Sequence, residues 1–192
     1  PTRRSSDLVR TPENLVDLYF KSVGRGGSLH LNIPPDRRGL FHENDVASLL
    51  GMRRILDGMF KRNFLFGGKA AASSVRGDSA KFAASNVLDG DRETYWAADE
   101  DGRKSEIVID LPRRAAFNVV KVCEQIKLGQ RVDEFAMDYW NGSGWSQLAS
   151  GTSIGPHRLL KTQKVFSGRI RLRILKSAAC PCISEVSAYM LG

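Results

Sequence analysis

From Thr11 the chain carries an apolar stripe of Leu15, Val16, Leu18, Tyr19 and Val23, spaced as one face of a helix. Thr11 can cap that helix, Pro12 suits its first position, and Gly24 stops it. Residues 28–33 alternate instead, with Leu29, Leu31 and Ile33 on one side and Ser28, His30 and Asn32 on the other. This period of two predicts a strand, closed by Pro34 and Pro35. A second helix is expected from about Asn44, because Val46, Leu49, Met52, Leu56 and Met59 recur every three or four residues with Leu50, Ile55 and Phe60 beside them. Helix, strand, helix is a slice of an α/β protein, too short to bury a core of its own.

From Gly67 the texture changes. Residues 67–74 are small and polar, fit for a linker or the first edge of a new domain. Beyond them come short alternating runs at 107–111, 117–122, 135–140, 145–148, 159–165, 170–175 and 183–189, punctuated by Gly, Asn, Asp and Pro. Such runs without a helical stripe predict an antiparallel β-sandwich. The octapeptide 1–8 has no periodicity and looks like the translation of a sequencing adapter, so it is set apart from the fold. The expected organisation is therefore residues 1–8 as a scar, 9–66 as the α/β slice and 67–192 as the sandwich, with the natural protein extending upstream.

Composition narrows the classes. With 42% apolar and 26% charged residues, the chain is neither disordered nor fibrous. Its net charge of +8 would suit a polyanion, but half of the excess falls on either side of Gly67, so there is no basic arm and nucleic acid is not favoured as a partner. No apolar run approaches the ~18 residues of a membrane span. Three cysteines, Cys123, Cys180 and Cys182, are too few for a disulfide scaffold. His30, His42 and His157 are not at finger spacing, so the Cys-Pro-Cys step lacks the further ligands tetrahedral zinc needs. Small buried thiols are expected.

The run Val23-Gly24-Arg25-Gly26-Gly27-Ser28-Leu29-His30-Leu31-Asn32-Ile33-Pro34-Pro35-Asp36-Arg37-Arg38-Gly39-Leu40, continued by Glu43-Asn44-Asp45-Val46, resembles the last strand and last helix of the α-L-fucosidase family of glycoside hydrolases. Asn86-Val87-Leu88-Asp89-Gly90-Asp91-Arg92-Glu93-Thr94-Tyr95-Trp96 resembles the signature loop of galactose-binding, discoidin or factor V/VIII type C sandwiches, which the most similar fucosidases carry at their carboxy terminus. Glu124-Gln125-Ile126-Lys127-Leu128-Gly129-Gln130-Arg131-Val132 resembles a fucosidase version of the binding-end loop. The resemblance implies an α/β barrel remnant followed by an antiparallel β-sandwich of jelly-roll, galactose-binding-like form. It also implies hydrolysis of terminal L-fucose from glycoconjugates with retention, by an Asp nucleophile and a Glu acid/base. Neither carboxylate has a counterpart here, so the chain itself is expected to be inactive. The implied partners are fucosylated glycans and the rest of the barrel, and the implied setting of the parent is secreted or periplasmic.

The resemblance also nominates residues. Asn32 would sit at the carboxy end of a barrel strand, where substrate groups project, while His30 is expected to be core and Asp36, Arg37 and Arg38 to brace the turn. Asp89, Asp91 and Thr94, with Glu185 from the last strand, would hold a structural Ca2+; the alternative is an Asx turn around Gly90 with no ion. Tyr95, Trp96 and Trp145 could stack on sugars, though core positions suit them better. Glu124, Gln125, Gln130 and Arg131 would contact carbohydrate or the neighbouring domain. Arg169, Arg171 and Arg173 alternate with apolar residues and are expected on a solvated outer face. A binding module for terminal galactose-type sugars is the competing function. A third, adhesion or phospholipid binding, is disfavoured because the loops lack apolar spikes.

Overall fold

The computed structural model describes residues 9–99 and 104–192, so the octapeptide 1–8 lies outside the described residues. Helix α1 runs Pro12–Lys21, its Thr11 hydroxyl accepting the Asn14 amide at 3.3 Å. Helix α2 runs Glu43–Phe60 and is capped by His42, whose Nδ1 accepts the Asn44 amide at 3.2 Å. Between them residues 28–33 form no helix or strand but keep the alternation, with Leu29, Leu31 and Ile33 half-buried and Ser28, His30 and Asn32 exposed. They join no sheet among the described residues, so the expected strand keeps its alternation of burial without a ladder. His30, expected in a core, is exposed because no described element covers that side.

The sandwich has strands β1 Lys69–Ala72, β2 Trp96–Ala97, β3 Ser105–Glu124, β4 Val132–Trp140, β5 Trp145–Gly151, β6 Arg158–Ser177 and β7 Cys182–Tyr189. All pairings are antiparallel. β3 and β6 are each 20 residues long, and each merges two of the expected runs. The first half of β3 lies between β1 and the second half of β6, which continues to β4 and β5; the second half of β3 lies between the first half of β6 and β7, which continues to β2. Both strands bend from one layer to the other where their register breaks, between Asp110 and Ala115. Pro112 falls inside that break, where a missing amide costs the ladder nothing.

Residues 67–74 are no linker. β1 is the first edge of the sandwich, and Gly68 lets it enter, since a Cβ there would lie 2.6 Å from the Asp110 carbonyl oxygen. The core between the layers is closed by Trp96, Phe117, Phe135, Met137, Ile170 and Leu172, all fully buried. A second cluster joins the two parts: Val16 and Phe20 of α1 and Met59 of α2 pack on Val119, Leu159 and Tyr189 of the sandwich's outer surface. The helices that cannot bury a core alone thus bury one against β3, β6 and β7, at roughly 1.5–3 kcal/mol for each large apolar side chain.

Candidate functional site

The loops at one end of the sandwich bring the nominated residues together, but in unequal roles. Glu124 ends β3 almost fully buried, and its carboxylate accepts three backbone amides: Arg131 at 2.8 Å and Val132 at 2.9 Å on Oε1, and Gly155 at 2.7 Å on Oε2. Gln125, also buried, donates through Nε2 to the carbonyls of Arg92 at 2.8 Å and Glu93 at 3.3 Å. These two side chains face inward and tie three loops to the end of β3. Arg131 crosses the same end, donating to the Leu128 carbonyl at 3.2 Å and the Cys180 carbonyl at 2.9 Å. Gln130 is exposed.

The tip beyond them departs from expectation. Ile126 and Leu128 are 42% and 40% exposed, flanking Lys127, which pairs with Glu93 at 2.6 Å. The loops therefore do carry apolar tips, because Glu124 and Gln125 take the inward positions of this turn and leave its aliphatic residues outside.

In the signature loop, Asp89 Oδ1 accepts the Asp91 amide at 2.8 Å, and Thr94 Oγ1 donates to Asp89 Oδ2 at 2.6 Å and to the Asp91 carbonyl at 3.0 Å. Asp89, Asp91 and Thr94 are thus gathered as hard oxygens in one turn, with Gly90 in the left-handed region at φ 79°. Glu185 is not gathered with them. It pairs with Lys121 at 2.5 Å, both side chains nearly buried beside His157 and Cys123. Among the described residues no group of three or more His, Cys, Asp or Glu side chains is placed to hold a metal. The carboxylates of Asp89 and Asp91 each accept an amide two residues on, from Asp91 and Glu93, which is the Asx turn offered as the alternative to an ion.

Trp96 and Tyr95 take the core positions expected of them, and Trp145 does not. Trp96 is fully buried and donates to the Ser74 carbonyl at 2.9 Å; Tyr95 packs on Phe82 with ring centroids 5.4 Å apart. Trp145 lies on the outer face, with Arg171 4.6 Å from its ring centroid. That face is not simply basic. Arg169 pairs with Asp110, Arg171 with Glu106 at 3.2 Å and Asp138 at 2.8 Å, and Arg173 with Asp138 at 2.6 Å. Cys123, Cys180 and Cys182 are free and buried, and burial pushes the thiols of Cys123 and Cys182 up to about 11. At the other pole, Asn32 lines an open groove of about 380 Å³ with Leu29, Leu31, Ile33, Asp45 and Ser48. Arg38 braces the adjoining turn through Asp36 at 2.5 Å and Glu43 at 2.7 Å.

Sequence reasoning missed His157. Its ring is half-buried and Nε2 has no hydrogen-bond partner among the described residues. Burial first, then the charges of Lys121 and Arg92, lower its pKa to about 4. No local pattern announces such a residue, since Lys121, Arg92 and Glu185 reach it from distant parts of the chain.

Comparison with known proteins places this geometry. Residues 69–186 match the F5/8 type C domain. Alpha-L-fucosidase 1 of Arabidopsis thaliana is 33% identical over 190 residues, which is 97% of this chain and 38% of that protein. Among solved structures, SpGH29 superposes with a TM-score of 0.90 at 33% identity over 95% of this chain and 40% of its own. A GH29 fucosidase of Ruminococcus gnavus, solved in complex with fucose, gives 0.85 at 32% identity over 95% of this chain and 37% of its own. The chain therefore spans under half the length of these relatives, and no helix among its described residues is long and apolar enough to cross a membrane.

Proposed function

Because the chain belongs to the F5/8 type C domain family, with its sandwich joined to helices in the same way as in fucosidase structures, we propose that it is the carboxy-terminal part of an α-L-fucosidase that releases terminal L-fucose with retention. The observation that carries this reading is the extent of the similarity: it covers 97% of the chain, helices and sandwich alike, where an unrelated enzyme carrying the same module would match over the sandwich alone. On this reading the nucleophilic Asp and the acid/base Glu belong to upstream parts of the polypeptide, and the chain alone releases no fucose. Asn32 faces the sugar pocket once neighbouring strands pair with residues 28–33, and a structural Ca2+ rests on Asp89, Asp91 and Thr94, with Glu185 recruited from Lys121. The parent works outside the cytoplasm, in a secreted or periplasmic setting.

A second reading has a specific observation behind it. Exposed Gln130, with Ile126 and Leu128 at the loop tip, offers an amide and apolar surface where a sugar ring could rest. Isothermal titration of the chain with galactose and with fucosylated glycans separates the two. Heat with galactose, lost in Gln130→Ala, supports an independent binding module; no heat with either supports an accessory role within the enzyme.

A further inference from the structure

One groove at the junction of helix and sandwich gathers several basic side chains. On the outer face of the sandwich Arg169, Arg171 and Arg173 each have a carboxylate. Between α1 and the start of β6 lies a groove of about 210 Å³ lined by Lys21, Arg25, Arg158 and Lys161, with Phe20 in its wall. Asp17, the carboxylate in that lining, is already ion-paired with Lys161. Among the described residues neither Arg25 nor Arg158 has an ion-pair partner, while Lys21 shares Asp17 with Lys161.

Arg158 is the informative member. Its Nε is fully buried and has no hydrogen-bond partner among the described residues, so a charged donor is held away from water with nothing to accept from it. Its Nη2 lies over Gly151, 3.4 Å from where a Cβ there would stand. Burial first, then repulsion from Arg25, hold the Arg158 guanidinium below its ordinary range. Two guanidiniums close enough to repel, at the edge of a cavity, are stabilised by an anion that accepts from both.

We propose that this groove binds one tetrahedral oxyanion, a sulfate or phosphate group, between Arg25 and Arg158 with Lys21 at its rim. The volume suits a small group. At ~30 Å³ per water it holds about seven waters, room for one oxyanion and part of its hydration shell. It falls below the ~300 Å³ of a typical site for a whole organic ligand. An ester group could therefore enter while the sugar bearing it stays outside. The site does not depend on the fucosidase reading, because neither the loop end nor residues 28–33 contribute to it.

The test is calorimetric titration of the 192-residue chain, at constant ionic strength, with inorganic phosphate, inorganic sulfate, a sulfated galactan oligosaccharide and the same oligosaccharide desulfated. Arg25→Gln and Arg158→Met are expected to weaken oxyanion binding at least tenfold, and Arg54→Gln on the far helix to leave it unchanged. Arg158→Met should melt close to the parent, since it keeps the packed aliphatic stem and removes its one buried nitrogen that lacks a partner. Should it fail to fold, exposed Arg25 decides alone. Sulfated over desulfated preference assigns the group to a glycan ester; equal binding of free phosphate or sulfate assigns it to the free ion. Both support the site. Absence of binding in every arm, or binding that Arg25→Gln leaves intact, overturns it.

Discussion

The Glu124 carboxylate accepts the Gly155 amide at 2.7 Å across 31 positions of sequence, so one buried side chain fastens the far loop to the end of β3. Because it also holds the amides of Arg131 and Val132, Glu124→Ala strands three donors in a buried place. Hydrogen bonds to charged groups contribute about 1.5–3 kcal/mol each, and they act here as one unit, so a loss of about 3–4 kcal/mol is expected in urea unfolding. Glu124→Gln should retain part of it. A loss below about 1 kcal/mol in Glu124→Ala would show that the loops close without this carboxylate.

Phe20 ties the helices to the sandwich. It is 7% exposed, packed in the cluster with Val119 and Tyr189, and the Lys161 ammonium lies 4.8 Å from its ring centroid. Phe20→Ala should cost about 3–5 kcal/mol at this contact. Amide exchange across α1 should then accelerate while residues 170–174 stay protected. Unchanged exchange in α1 would mean that the helices hold without the cluster.

His157 gives the fold a pH dependence of known sign. Its value falls from the ordinary 6.5 to about 4 in the folded state, with Lys121 and Arg92 opposing its charge and Glu185 favouring it. Between those values the unfolded chain binds the extra proton, so the contribution of neutral His157 is present above pH 6.5 and is lost as pH falls towards 4. His157→Gln should flatten that part of the stability curve. A curve of the same slope in both proteins, measured by denaturant unfolding from pH 7 to 4, would assign the dependence elsewhere.

Calcium should raise the melting temperature of the chain over that in chelator, since an ion bound only by the folded state stabilises it by mass action. Asp89→Ala should melt lower and no longer respond. Lys121→Met, which frees Glu185 from its 2.5 Å pair, should strengthen the calcium response. Identical melting of the unmutated chain in calcium and in chelator would remove the ion from the proposal.

Local periodicity made the helices legible in part: Leu15 and Val16 of the first stripe and Met59 of the second are buried, whereas Phe20 packs from outside the expected stripe and Val46 and Leu50 stay exposed. It also made the sandwich legible, but not its continuity. Pro112 and Gly168 read as strand ends, whereas the register break lets β3 and β6 bend through them and serve both layers. β1 read equally as a linker or as the first edge of a domain because Ala70, Ala71 and Ala72 carry little side chain, and the ladder with residues 107–110 decides for the edge. The site was half legible. The turn of Asp89, Asp91 and Thr94 is local, so sequence spacing located it. The inward direction of Glu124, the pairing of Glu185 with Lys121 and the unpartnered Arg158 all depend on segments far apart in sequence, and no spacing encodes them.

The central claim is that this chain is the carboxy-terminal part of a retaining fucosidase. Proton NMR of an aryl α-L-fucoside, incubated with the longer polypeptide and separately with the 192-residue chain, tests it most directly. The account predicts that the longer polypeptide releases L-fucose first as the α anomer and that the chain alone releases none. Fucose release by the chain alone, or none by the longer polypeptide, would contradict it.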